Sequence, residues 1–109
     1  MGSIAKTPKP PYYAVVFTAI PSEAQEGYDE TVQRMHELAK GSSGFLGMES
    51  AGNDFEITVS YWKDEESILH WKQNAKHQVA QEMGKSKWYE AFQVRVARVE
   101  RAYGFTREE

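Results

Sequence analysis

The sequence predicts an α+β fold in the order βαββαβ, and three observations carry that expectation. Strand-like segments fall at Tyr12–Ile20, Phe45–Ala51, Phe55–Trp62 and Tyr89–Tyr103, with clean apolar–polar alternation over Phe55–Trp62. The period becomes helical over Ala24–Lys40 and again between Asp64 and Met83. The first strand is apolar on both alternating faces, Tyr13, Val15 and Phe17 on one and Tyr12, Val16 and Ile20 on the other. The order corresponds to the split βαβ, or ferredoxin-like, arrangement: a four-stranded antiparallel sheet with both helical segments on one face. Something else must then cover the second face. The simplest cover is the same sheet of another copy, so a homodimer through sheet faces, a dimeric α+β barrel, is expected.

The elements follow in order. Residues 1–11 are polar, carry Pro8, Pro10 and Pro11, and are expected to form an extended, partly disordered arm. The folded domain is expected to span residues 12–105. Pro21-Ser22 ends the first strand, and Tyr28, Val32, Met35 and Ala39 then recur at helical spacing, with Gly27 marking the start of the helix proper. Gly41-Ser42-Ser43-Gly44 stops the helix. Gly52-Asn53-Asp54 has the chemistry of a hairpin turn between the second and third strands. Asp64 suits a helix N-cap, with Glu65 and Glu66 in a first turn where the dipole favours acids. Asn74-Ala75 marks a break, after which Lys76–Met83 continues as a second helical piece ending at Gly84. A short charged tail, residues 106–109, closes the chain.

Composition narrows the functions. At 109 residues the chain builds one domain around one core. A net charge of −3, with Arg95, Arg98 and Arg101 alternating with apolar residues, gives no basic stripe for nucleic acid. There is no cysteine, which excludes disulfides, a cysteine nucleophile and thiolate metal sites and fits a reducing cytoplasm. No apolar run approaches the roughly 18 residues of a membrane span, and no signal-peptide core is present, so a cytoplasmic location without membrane attachment is expected.

The chemistry concentrates in Ile57–Phe105, which holds all three tryptophans and two of the three histidines. His70 and His77 lie seven residues apart, roughly 10 Å along an unbroken helix, so no metal site is expected. No glycine-flanked serine elbow and no phosphate-binding glycine loop occurs in the context either would need. Trp71 lies on the apolar side of its helix and His77 follows six residues later. Tyr61, Trp71, His77, Trp88 and Phe92 are expected to converge near one end of the sheet, and Phe17 to line the same space. Such aromatics either fill the core or wall an apolar cleft with a few placed polar groups. Trp62, alternating with the residues taken to face the helices, is expected to look towards the partner copy.

The segments YYAVVFTA, GFLGMES, ITVSYW, W-x5-H-x2-AQ, WYE and VRVARVER together resemble the antibiotic biosynthesis monooxygenase domain family over Tyr12–Phe105. The resemblance implies the dimeric α+β barrel. It also implies oxidation of a quinol-like or polyphenolic molecule by molecular oxygen with no metal or organic cofactor. Trp71 is then the pocket tryptophan that orients the substrate. In the polyphenol-oxidising branch an asparagine, a tyrosine and an arginine stand where this chain has Ser67, His77 and Ala91, which leaves His77 as the candidate base, its ordinary pKa suiting neutral pH. The related heme-degrading branch places its axial histidine at the position of Gln81 and an asparagine on the first strand, where this chain has Val15, Val16, Phe17 and Thr18. The alternative to an oxygenase is a non-catalytic dimer that binds an aromatic or lipid-like metabolite.

Overall fold

The structure, a computed structural model, describes residues 3–107, and for Ala75 and Lys76 the backbone alone. Strands β1 (Tyr12–Pro21), β2 (Phe45–Gly52), β3 (Glu56–Trp62) and β4 (Tyr89–Val99) form one sheet in the order β2-β3-β1-β4, with every neighbouring pair antiparallel. Helix α1 (Tyr28–Lys40) joins β1 to β2; α2 (Glu65–Gln73), α3 (Ala75–Met83) and a π-helical turn, Gly84–Trp88, join β3 to β4. This is the α+β, ferredoxin-like architecture that the strand and helix order predicts.

Local chemistry sets the boundaries. Gly27 takes φ 80°, a left-handed conformation that glycine adopts freely, and α1 begins at the next residue with Asp29 and Glu30 in its first turn. The Asp64 side chain accepts from the Ser67 amide at 2.8 Å and caps α2. Asn74 turns to an extended ψ of 131°, which separates α2 from α3 and changes the direction of the chain. The last strand is shorter than its pattern suggests. Val99 pairs with Tyr12, the first residue of β1, so beyond Val99 there is no ladder to join. Residues 100–107 leave the sheet without regular structure, with Tyr103 91% and Phe105 78% exposed.

Cross-strand partners share a face, so the register sorts the sheet. Tyr13, Trp62 and Arg98 stand in one row on the helix side, followed by Val15, Ser60 and Val96, then Phe17, Thr58 and Val94, then Ala19, Glu56 and Phe92. The second face carries Ala14, Tyr61 and Ala97, then Val16, Val59 and Arg95, then Thr18, Ile57 and Gln93. The core lies on the helix side, where Trp62, Ala19, Met35, Ala39 and Trp88 are buried.

Where it is described, the arm makes two hydrogen bonds to the sheet. Ala5 donates its amide to Glu49 Oε2 at 2.9 Å, and Thr7 Oγ1 donates to the Tyr12 hydroxyl at 3.0 Å. Gly47 leaves room for this passage, since a Cβ there would come within 2.9 Å of the Ala5 methyl. The arm thus lies along one end of the second face, where Tyr12 and Ala14 are buried. At the other end of that face Ile20 and Ile57 stay exposed. Among the described residues no helix is long and apolar enough to cross a membrane.

Candidate functional site

Two aromatic clusters occupy the helix side, one at each end of the sheet. The first begins with Trp62, fully buried at the end of β3. Its ring packs edge-on against Phe45 at 5.3 Å and stacks with Trp71 of α2 at 6.1 Å. His77, in the first turns of α3, lies 4.6 Å from Trp71 between ring centres. The break at Asn74 brings them together, because on one straight helix residues six apart project from different faces. His77 Nδ1 is buried with no hydrogen-bond partner among the described residues. Burial, and secondarily the charge of Lys72, lowers the imidazole pKa to about 4. The expectation that His77 titrates near neutrality is therefore corrected: burial keeps it neutral, and its ring is a weak base.

The second cluster centres on Tyr89 at the start of β4. Phe17 lies 5.5 Å and Phe92 5.9 Å from its ring, and Phe17 and Phe92 are 5.5 Å apart. Tyr28, the first residue of α1, meets both Tyr89 and Trp88 edge-on. Tyr89 donates its hydroxyl proton to the Tyr28 oxygen at 3.1 Å, and Tyr28 in turn donates to Glu56 Oε1. Burial first, then the Glu56 bond, pushes Tyr28 up to about 12; burial and the bond to Tyr28 push Tyr89 higher. The π-helical turn sets this end. Gly84 packs against Tyr89, where a Cβ would meet the ring at 3.0 Å, and Trp88 is pinned by its Nε1–H to the Glu26 carbonyl at 3.0 Å.

Of the residues singled out from sequence, Trp71 and His77 meet in one place, and Phe17 and Phe92 meet in another beside Trp88. Tyr61 belongs to neither. The register puts it on the second face, where it packs edge-on with Tyr12 and donates to Glu49 Oε1 at 2.6 Å. Burial, then that bond, raises its hydroxyl to about 12. Trp62 is corrected in the opposite sense: it faces the helices, not a partner. Alternation alone separates the two sets of β3 residues without saying which set faces the helices. His70 lies apart from His77, on a polar surface pocket of about 290 Å³ shared with Ser43, Lys63, Asp64, Glu66 and Ser67. Among the described residues no group of three or more His, Cys, Asp or Glu side chains is placed to hold a metal ion.

Between the clusters, Val94 and Val96 project to the helix side yet are 41% and 50% exposed. The helices leave this strip of β4 uncovered, so an apolar floor continues outward from Phe17 and Phe92. Tyr28, Glu56 and Tyr89 are not among the site residues expected from sequence. The signal for Glu56 was an acid in a row otherwise facing the core; Tyr28 reads as one more apolar helix position.

A family model described as antibiotic biosynthesis monooxygenase matches residues 11–83. The chain belongs to this family. It is 50% identical over 103 residues to the uncharacterised protein YqjZ of Bacillus subtilis, a match covering 93% of this chain and 90% of that one. A stretch of 43 residues, 39% of this chain and 20% of the other, is 37% identical to jasmonate monooxygenase ABM of Pyricularia oryzae. The crystal structure of SnoaB, a cofactor-independent oxygenase from Streptomyces nogalater, matches 85% of this chain and 97% of its own with a TM-score of 0.72 at 7% identity. At that identity the likeness is one of fold. The family match takes in Trp71 and His77 and ends before the π-helical turn and β4.

Proposed function

We propose that this member of the family is a monooxygenase that needs no metal or organic cofactor and acts on a small quinol-like or polyphenolic molecule. The observation that carries the reading is the contact of Trp71 with His77, a flat apolar wall beside a buried imidazole whose Nδ1 has no hydrogen-bond partner among the described residues. An unsatisfied buried polar atom costs about 1–3 kcal/mol, which a hydrogen bond to a ligand hydroxyl recovers on binding. The exposed strip of Val94 and Val96 supplies apolar floor for the rest of the ring, with Phe17 and Phe92 at its end. Jasmonate monooxygenase and the oxygenase SnoaB, by their names, support the same class of reaction.

The depressed basicity of His77 shapes the mechanism. Moving a proton from a phenol, near pKa 10, to an imidazole near 4 costs about 8 kcal/mol if it is done first. Loss of an electron to oxygen makes the phenolic O–H strongly acidic, so the proton passes to His77 as the electron leaves. Superoxide and the phenoxyl radical then join at a ring carbon. His77 returns its proton to the peroxide, and loss of water leaves the quinone carbonyl. One substrate and one oxygen molecule give one quinone and one water. Trp71 orients the ring, and exclusion of water protects the radical pair.

The protein is proposed to act as a homodimer. Ile20 and Ile57 on the second face, and the aromatic tail of Tyr103 and Phe105, find no cover within one chain, and a second copy of the same sheet matches them.

The test is oxygen uptake with a panel of hydroquinones and dihydroxynaphthalenes. Uptake is expected from the native protein and a loss of at least tenfold in His77→Ala with its far-ultraviolet spectrum intact. No uptake with any member overturns the oxygenase. The weak basicity of His77 also favours a second reading, a non-catalytic binder of aromatic metabolites; ligands that raise the melting temperature without oxygen uptake mark that outcome.

A further inference from the structure

The Tyr89–Tyr28–Glu56 chain is half-buried on the helix side, lies beside Phe17 and Phe92, and has no part in the Trp71–His77 contact. We propose that Tyr89 is a second ligand-recognising group of this site, held by Tyr28 and Glu56 so that its oxygen accepts a hydrogen bond from a ligand hydroxyl. The inference rests on the reading that a flat aromatic molecule lies on the strip from Phe17 and Phe92 to Val94 and Val96.

The direction of the chain carries the argument. A carboxylate has no proton to give, so Tyr28 must donate to Glu56. With its one proton committed, the Tyr28 oxygen accepts from Tyr89 at 3.1 Å. The Tyr89 proton is thereby committed too, and its oxygen meets any further partner through its remaining lone pairs. Hydrogen bonds in such a chain polarise one another, which strengthens the terminal oxygen as an acceptor. Both phenols are held well above the ordinary tyrosine value, so the chain keeps its protons through the neutral range.

Position carries the rest. The Tyr89 ring contacts both Phe17 and Phe92, so its edge borders the strip that a ligand would cover. Gly84 closes the opposite side, where a side chain would strike the ring and tilt it. Tyr89 thus selects ligands that donate: a phenol or diol is favoured, and its methyl ether is not. Tyr28 and Glu56 are positioning residues, acting through Tyr89.

The experiment compares binding of 1-naphthol and 1-methoxynaphthalene, which share a shape and differ in the donor, by quenching of tryptophan fluorescence. The native protein is expected to prefer 1-naphthol about tenfold. In Tyr89→Phe the preference should fall to about threefold or less, while the ether binds as before. In Tyr28→Phe the Tyr89 hydroxyl loses the oxygen that holds it, so the preference should fall; Glu56→Gln, similar in size, should weaken the preference because an amide can donate as well as accept. A merely structural role would lower both affinities together and leave their ratio alone. The proposal is overturned if the native protein shows no preference or binds neither compound, or if Tyr89→Phe and Tyr28→Phe keep the native ratio. Oxygen uptake with 1,4-dihydroxynaphthalene is followed in parallel. A retained naphthol preference without uptake removes the oxygenase and leaves this site standing; uptake that Tyr89→Phe leaves unchanged, with an unchanged ratio, does the reverse.

Discussion

The imidazole of His77 rests 4.6 Å from the indole of Trp71, ring centre to ring centre, with its Nδ1 buried and without a hydrogen-bond partner among the described residues. Behind Trp71 lies Trp62, fully buried, and behind Trp62 lies Phe45. The site histidine is therefore the outer member of a stack rooted in the core. Stability and ligand recognition meet at Trp71.

Replacing Trp71 should show that coupling. Trp71→Ala removes the stacking partner of both Trp62 and His77 and is expected to cost about 2–3 kcal/mol, below the range for a fully buried tryptophan because Trp71 is only half-buried. Trp71→Phe keeps an aromatic wall and should cost about 1 kcal/mol. Urea unfolding measures both, and equal losses would show that a phenyl ring does not stand in for the indole in the stack.

Acid should weaken the fold through His77. Its folded pKa, about 4, lies below the ordinary 6.5, so between these values the unfolded chain binds the extra proton. Stability is unaffected above pH 6.5, falls as pH drops from 6.5 to 4, and is not lost further to this group below that. The loss is about 2 kcal/mol after allowance for the partly exposed ring. His77→Phe keeps the packing and lacks the proton, so its melting temperature should fall less between pH 7 and pH 4.5 than that of the native protein.

Two glycines separate backbone strain from steric collision. Gly27 and Gly44 both take a left-handed φ, 80° and 85°. A Cβ on Gly27 would meet nothing within 4 Å, whereas one on Gly44 would strike the Ser67 side chain. Gly27→Ala should cost about 1 kcal/mol, and Gly44→Ala at least about 2 kcal/mol more. Chemical unfolding of the two variants tests the difference; equal costs would mean that Ser67 moves aside freely.

Self-association should depend on the second sheet face. Ile57→Lys places a charge on the exposed end of that face without touching the helix side. The native protein is expected to run as a dimer in size-exclusion chromatography with light scattering, and Ile57→Lys as a folded monomer. A native monomer at about 100 μM would remove the homodimer.

Most of the architecture was legible because strands and helices write their periods into the chain. The period switched at the right places, Gly27 and Asp64 marked helix starts, and Asn74-Ala75 marked the break that brings His77 to Trp71. The site was legible in part. Trp71 and His77, and Phe17 and Phe92, come together, but Tyr61 and Trp62 exchange the faces assigned to them. An alternating strand apolar on both sides looks the same whichever side meets the helices. Tyr28, Glu56 and Tyr89 escaped notice because 28 or more residues separate each from the next, and no local pattern reports a contact across that span.

The amino-acid sequence by itself determined the element order, the ferredoxin-like topology and the residue types available to a site, since each follows from local propensity and apolar period. Only the tertiary structure decided which face of β3 met the helices, how far β4 could run before its ladder ended, and that burial would hold His77 neutral. Those outcomes depend on register and desolvation, which arise only when distant segments pack and exclude water.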